Sequence, residues 1–535
     1  MKSITIYNME EDYPAAADLV EETLQLNRIN RVTQTETMMI FEALYHNLQE
    51  KLTNSNGTVT LMVKQGLSGL KIIFGFAGGM MDPVKGDSSF SPETQILETY
   101  SDKIDYSYRF GHNKVEIEVN KSVQLMQLIY LASIFAAILA YALIQSSMDT
   151  ATQQSMRVNV IMPLEQLFAN AMIMVAAPVT FFSLLKNRIH AYIASEWNAN
   201  VRRLYRASTG SSIIAVLLAV GAAMAITRST KLANNVFSNI GELQLDFSLS
   251  ETISGLLPSN IFEPFITISP FPLIILAFMM TYAFFSAGKH FNLINQLIDA
   301  FYVIFSRLLS MIMFSLPFFL FVSFLDVLMQ RGFDILIFLL QTFGLVLAGL
   351  ILLMLYYFAR LLRAKINPFS LLRKLIPLLW ENFLIGSCID AVPYNIRWCM
   401  QNLKLDRKKL QESMPVMAQI NLDGNCFLIA MTSLLFISYS GTPVSFLNLT
   451  GIGILVFFLS MGAPNQPGSC LIGLLIIFYH MNATALVPFA IFTEVLLGGL
   501  QNLINVLGDI ITVMVDNPEE RAEKNKAAQS SAARP

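Results

Sequence analysis

Two carboxylates, Asp423 and Asp509, stand in stretches otherwise built of Leu, Ile, Val and Phe. An ionisable side chain in such a stretch is expensive unless it is paired or functional. Each has polar company. Asn421-Leu-Asp-Gly-Asn425 interrupts one apolar run, and Glu494, Gln501, Asn502 and Asn505 precede Asp509 in another. Asn505 and Asp509 are four apart and share one helical face. Carboxylate and amide oxygens are hard ligands suited to a bare cation such as sodium. The alternative for an amide such as Asn502 is a helix–helix hydrogen bond.

Two interrupted segments frame these residues. Apolar runs Ile452–Ser460 and Cys470–Tyr479 flank Met461-Gly-Ala-Pro-Asn-Gln-Pro-Gly-Ser469. Each is about half a bilayer long, and the prolines and glycines between them force a non-helical turn. Irregular backbone at membrane depth is tolerated only where protein or a water-filled cavity satisfies it. Leu371–Ile385, Gly386–Pro393 and Tyr394–Trp398 repeat the pattern. Paired interrupted segments point to a transporter binding site.

The whole chain supports that setting. Of 535 residues, 54% are hydrophobic and only 14% charged, with a net charge of −2, against roughly 25% charged in soluble proteins. A soluble enzyme, a disordered chain and a nucleic-acid binder are thereby disfavoured. All four cysteines lie in the apolar part, so no disulfide framework is expected. Residues 1–120 hold 10 Lys+Arg against 17 Asp+Glu, a net −7, whereas residues 121–535 carry a net +5. That step predicts a soluble domain over 1–120, a membrane domain over 121–515 and a disordered tail over 516–535. Spans are expected near 124–145, 159–184, 207–227, 264–287, 301–327, 334–359, 413–440 and 484–515, from about 20 apolar residues per crossing. Basic residues at Lys186–Arg206, Arg360–Lys374 and Arg397–Lys409 fall on one side and predict cytoplasmic N and C termini in a plasma-membrane protein. Met1–Tyr13 is polar and acidic, so no signal peptide is expected.

Taken together, two half-length hairpins, an Asn-x-Asp-Gly break and a last helix with Asn-x-x-x-Asp resemble the dicarboxylate/amino acid:cation symporters, the glutamate and aspartate transporter homologues. The likeness covers roughly residues 124–515 and includes Met162–Phe168, Ala177-Pro178 and Gly255–Phe262. It implies eight transmembrane helices plus two re-entrant hairpins, a homotrimer in lipid, and an elevator mechanism in which one domain slides past a scaffold. Spans 1, 2, 4 and 5 would form the scaffold, and spans 3, 6, 7, 8 and both hairpins would move. It implies sodium at Asn505 and Asp509, and at Asn421 and Asp423 with Tyr205, Ser208 and Thr209. A further site would use hairpin carbonyls at Ser460 and Met461, with Ala463 where the family has threonine. The substrate arginine position holds Gln501, and the aspartate three residues earlier is Gly498. A bidentate arginine clamp cannot become Gln without losing its charge, so acidic amino acids and C4-dicarboxylates are expected to be poor substrates. The remaining solute contacts are Ser387, Cys388, Pro467, Gly468, Gln501 and Asn502, suited to one carboxylate or a neutral polar solute. Glu494 and Asp390 are extra acids that could carry a proton or face a cationic solute.

The soluble part reads as α+β. Thr58–Val63 and Leu70–Phe76 alternate apolar and polar, as do Lys103–Phe110 and Lys114–Val119, which predicts two hairpins. Helices are expected near Ala15–Gln25, Thr33–Leu52 and Pro92–Tyr100. Glu42 and Asn47 on a helix, followed by Ala77-Gly78-Gly79 and Asp82-Pro83, resemble the histidine-kinase-like ATPases of anti-sigma-factor type. The Glu-to-Asn spacing is one residue too long, Phe76 replaces the family's aspartate, and no glycine-rich lid follows. ATP hydrolysis is therefore not expected, and the domain reads as a degenerate regulatory or partner-docking module. The functional expectation is a secondary symporter that moves a small organic solute with sodium or protons and is not an enzyme. The alternative is a solute sensor that signals through its N-terminal domain without net transport.

Overall fold

The computed structural model describes residues 2–27, 29, 31–52, 58–65, 69–82, 96–97, 100, 103–120, 124–197, 199–229, 255–286, 291–439, 445–464, 466–481 and 483–515. The expected tail over 516–535, the lid region after Asp82, and most of the expected helix at Pro92–Tyr100 lie outside them. The chain divides into two compact units, residues 1–125 with 387–418, and residues 126–386 with 419–535. The simple cut expected near Lys121 therefore omits one feature: Ser387–Ala418, the second arm of the first interrupted segment, belongs with the N-terminal sheet domain.

The first unit is built on a five-stranded sheet. Strands β1 (Lys2–Ile6), β2 (Val59–Gln65), β3 (Gly69–Ala77), β4 (Ile104–Arg109) and β5 (His112–Asn120) are ordered β1-β2-β3-β5-β4, with every neighbouring pair antiparallel. Strand β1 pairs Ile4 with Leu61, an edge strand not anticipated in the polar N-terminal stretch. Period-2 alternation sends Leu61, Val63, Ile72, Phe74, Val115 and Ile117 inward. They meet α1 (Tyr13–Leu26) and α2 (Arg31–Leu52), whose Phe41, Leu44, Tyr45 and Leu48 are buried. This core continues onto the hairpin arm, where Ile389 packs against it. The arm comprises α11 (Cys388–Trp398), a π-helical turn over Cys399–Leu403, and the start of α12 (Arg407–Ile420).

In the second unit come α3 (Gln124–Ser147), α4 (Met162–Trp197), α5 (Ala199–Ser229), α6 (Pro270–Phe285), α7 (Phe291–Phe314), α8 (Leu316–Arg331), α9 (Asp334–Arg363) and α10 (Pro368–Ile385). They are followed by α13 (Asp423–Tyr439), α14 (Phe446–Met461), α15 (Ser469–His480) and α16 (Val487–Val515). Among the described residues, seven helices are long and apolar enough to cross a membrane. The expected span over 301–327 is two helices, α7 and α8, because Ser315 closes a turn onto the Ile312 carbonyl and Pro317 follows in the first turn of α8. The expected span over 264–287 contains the 16-residue α6. Helix α13 is buried on nearly every side, the mark of a helix surrounded by others.

Both interruptions are shorter than the sequence reading suggested. Helix α10 ends on Gly386 at φ +69°, a left-handed stop that glycine adopts without strain. Helix α11 begins two residues later, with Pro393 inside it rather than at the break. In the second segment, α14 runs to Met461 and α15 starts after Gly468 at φ +99°.

Candidate functional site

The first cluster joins α5, α9, α13 and α16 at the Asn-x-Asp-Gly break. Asp423 is fully buried and its carboxylate accepts from Ser211 Oγ at 2.5 Å, Ser212 Oγ at 2.8 Å and Tyr357 OH at 2.7 Å. Beside it, Asn421 Oδ1 accepts from Ser208 Oγ at 3.0 Å, while Asn421 Nδ2 donates to Asp509 Oδ1 at 2.9 Å. Two carboxylates and an amide oxygen, lined by hydroxyls that rotate to offer lone pairs, form an all-oxygen set fit for a hard cation. Such a set needs this dense hydrogen bonding, because a buried carboxylate left unpaired is costly.

The hydroxyls are not all those expected. Tyr205 pairs with Arg188, and Thr209 Oγ1 donates to the Tyr205 carbonyl at 2.9 Å. The expected triplet Tyr205, Ser208 and Thr209 is replaced by Ser208, Ser211 and Ser212. The expected set lies three residues, almost one helical turn, before the observed one on the same helix. Three serines at i, i+3 and i+4 were the signal available in the sequence. Tyr357 and Arg360 were missed because they lie near the C-terminal end of an apolar helix, α9. Arg360 donates to Ser211 Oγ at 3.4 Å and to Thr512 Oγ1 at 3.2 Å, which sets a fixed positive charge one serine away from Asp423.

Asn505 is committed to structure. Its Oδ1 accepts the Gly424 N–H at 2.7 Å, and its Nδ2 donates to Asn425 Oδ1 at 2.9 Å. It latches the start of α13 onto α16. Gly424 is required by the same closeness, since a Cβ there would collide with the Gln501 backbone.

The second cluster lies at the break between α14 and α15. Glu494 Oε1 accepts the Gly468 N–H at 2.7 Å, and Oε2 accepts the Leu471 N–H at 3.0 Å. The chain's own carboxylate thus sits on the N-terminus of α15, where backbone donors and the helix dipole favour an anion. The Gly468 amide, expected to receive a solute, is already engaged. Gln501 Nε2 donates to Ser469 Oγ at 2.7 Å, and its Oε1 is buried with no partner among the described residues. Asn502 donates to the Asn382 carbonyl on α10, the helix–helix role considered for it. Pro467 lies beside the other break, 3.9 Å from where a Cβ on Gly386 would be. The hairpin carbonyls expected to take a cation are also engaged. Ser460 O accepts from the Ala463 N–H at 3.1 Å, and Met461 O from Asn187 Nδ2 at 3.2 Å.

The remaining expected residues lie in the first unit. Ser387 caps α11 by accepting the Asp390 N–H at 3.3 Å, and Cys388 is buried. Asp390 is no isolated acid, because it pairs with Lys103 at 2.7 Å, and Lys103 also meets Glu36. Glu42 pairs with Arg407 at 3.2 Å. The Tyr13 hydroxyl beside it is pushed up to about 12, first by burial and then by the Glu42 charge. Asn47 is buried, its Oδ1 without a partner among the described residues. Gly78 N–H donates to the Gly111 carbonyl, and the Gly79 carbonyl accepts from Asn113 Nδ2 at 2.9 Å. These bonds tie the glycine pair to the β4–β5 turn.

Comparison with known proteins now bears on this arrangement. The pattern that defines the sodium:dicarboxylate symporter family matches residues 122–517. The chain belongs to that family. It is similar to an excitatory amino acid transporter of Onchocerca volvulus, with 27% identity over 167 residues, covering 31% of this chain and 33% of the relative. Excitatory amino acid transporter 5 of Mus musculus is 27% identical over 169 residues, covering 31% and 30%. Excitatory amino acid transporter 3 of the same organism is 27% identical over 167 residues, covering 31% of each. The chain thus spans about a third of the length of these curated relatives. This symporter-family chain is a multi-pass helical membrane protein with a small sheet domain at its N-terminus.

Proposed function

We propose that the protein moves a small, non-acidic organic solute together with sodium, with Asp423 and Asp509 as the charged cation ligands. The observation that carries this reading is the buried, all-oxygen cluster of Asp423, Asp509, Asn421, Ser208, Ser211 and Ser212. In this reading eight spans and two re-entrant hairpins assemble as a homotrimer, both termini face the cytoplasm, and the loaded domain slides across the bilayer. Cation binding closes the outer hairpin, which gives the two states the differential affinity that coupling requires.

Glu494 narrows the solute. A tethered carboxylate on the α15 N-terminus excludes a solute carboxylate from those amides, because two like charges cannot share them. The orphaned Gln501 oxygen adds an acceptor in need of a donor. The solute therefore brings N–H or O–H donors, as an amine or a neutral polar molecule does. The experiment is solute flux into proteoliposomes under a sodium gradient, with Asp423→Asn alongside. Sodium-driven uptake lost in the variant supports the reading, whereas uptake indifferent to sodium and to Asp423 refutes it.

A second reading is a sensor without net flux. It is favoured by one observation, that Ser387–Ala418 folds with the soluble domain, so that a hairpin arm and a reporting domain are one body. Binding that stabilises the protein with no measurable flux would select it. Glu42, Asn47, Gly78 and Gly79 then serve docking and folding of the module rather than nucleotide hydrolysis.

A further inference from the structure

A cleft inside the first unit belongs to neither cluster. It has a cavity volume of about 640 Å³ and is walled by α2 on one side and by α11, its π-helical turn and α12 on the other. That volume falls within the range of small-molecule sites, roughly 300–1,000 Å³. Its apolar walls include Met38, Met39, Pro393 and Ile396. The rings of Tyr394 and Trp398, 6.1 Å apart, also line it and offer flat faces. Three arginines line it, Arg31, Arg397 and Arg407, against Glu21 and Glu42. Glu42 is spent on Arg407 at 3.2 Å, while Arg31 and Arg397 are exposed. The Trp398 indole N–H is buried with no acceptor among the described residues, which a protein tolerates poorly unless a ligand or water completes it.

We infer that this cleft binds a small organic anion that carries a flat ring, and that its occupancy pins the hairpin arm to the soluble domain. The ring would lie against Tyr394, Trp398 and the methionines, whose soft side chains accommodate varied ligands. The carboxylate or phosphate would meet the Arg31 and Arg397 guanidiniums, which suit planar oxyanions. Because one wall is α2 and the other is the arm, a ligand adds bonds to both and joins the Lys103–Asp390 pair and the Tyr100 hydroxyl's 2.6 Å bond to the Ile389 carbonyl. The inference uses only the first unit and stands apart from the transport reading.

The test uses the full chain in detergent and isothermal calorimetry with four probes. Adenosine monophosphate and indole-3-acetate carry a ring and an anion from the two possible sources. Adenosine lacks the anion, and inorganic phosphate lacks the ring. Saturable binding of at least one ring-bearing anion is expected, with adenosine and phosphate weaker by about tenfold or more. Arg397→Glu and Arg31→Glu should each weaken it by about tenfold, the loss of a charge-assisted hydrogen bond. Arg397→Lys keeps the charge but loses the planar fork, so it should weaken binding less than Arg397→Glu and shows that the fold is intact. Trp398→Phe should abolish the ligand-induced change in tryptophan fluorescence. Binding of neither anion, or binding unchanged in both arginine-to-glutamate variants, overturns the inference.

Discussion

Gly508 gives the sharpest test of the cation cluster. A Cβ at this position would stand 2.8 Å from Asn421 Nδ2, 2.8 Å from Tyr357 OH and 3.3 Å from Asp423 Oδ2. Ordinary contact begins at 3.4 Å, so in Gly508→Ala both donors must retreat by about 0.6 Å. Asn421 Nδ2 and Tyr357 OH are the donors to Asp509 at 2.9 Å and to Asp423 at 2.7 Å, and a shift of that size takes either bond to the edge of hydrogen-bonding distance. Overpacking costs about 1–3 kcal/mol, and weakening a bond to a charged group costs about 1.5–3 kcal/mol. Better helix propensity of alanine returns about 1 kcal/mol. The loss outweighs the gain, and it falls on the cluster itself. Sodium affinity should drop by about tenfold or more, since tenfold is only about 1.4 kcal/mol. The assay is thermal unfolding of the purified protein across a sodium series, with potassium held as the balancing ion. A ligand that binds the folded state raises stability as RT ln(1 + [L]/Kd), so the midpoint of the sodium response reports Kd. Gly344→Ala is the control, because a Cβ there meets nothing within 4 Å. Equal sodium responses in Gly508→Ala and wild type would refute the placement of the cation at Asn421, Asp423 and Asp509.

Three further outcomes are expected. Ser211→Ala combined with Ser212→Ala should shift the sodium midpoint upward by about tenfold, the loss of two hydroxyls bonded to one carboxylate. Tyr205→Phe with Thr209→Val should leave it unchanged in the same melt, and the opposite ranking would place the cation beside Tyr205 and Thr209 instead. Glu494→Gln should speed amide hydrogen exchange at Gly468 and Leu471, because a neutral amide is a weaker acceptor than a carboxylate; unchanged protection at both would show that Glu494 does not hold the outer break. In the sheet domain, the Lys114 and Lys71 ammonium groups beside Glu116 hold its carboxyl below the usual range. A carboxyl lowered on folding adds stability above its unfolded value, about 4.3, and loses it as pH falls through the folded value. Domain stability should therefore fall with acidification below about pH 4–5, and Glu116→Gln should flatten that slope in a pH series of denaturant melts.

Much of this protein was legible because its signals are local. Charge density and apolar length separate a soluble part from a membrane part, since hydrocarbon forbids unpaired charge over some 20 residues. Asn421, Asp423 and Asp509 stood out for the same reason, as polar groups where polarity is costly. Alternation marked β2 to β5, whereas β1 was hidden because five residues of mixed polarity become a strand only when β2 offers its edge. Partnership was decided by tertiary structure alone. Which hydroxyls face Asp423 depends on the rotation and axial position of α5, and a three-residue slip leaves sequence periodicity almost unaltered. Asp390 and Glu494 look alike in sequence, yet one pairs with Lys103 on the soluble domain and the other caps a helix across the break. The membership of Ser387–Ala418 in the N-terminal unit rests on contacts with residues 287 to 365 positions earlier, which no local pattern encodes. Sequence determines where charge is affordable, and the packing of distant segments decides what each charge meets.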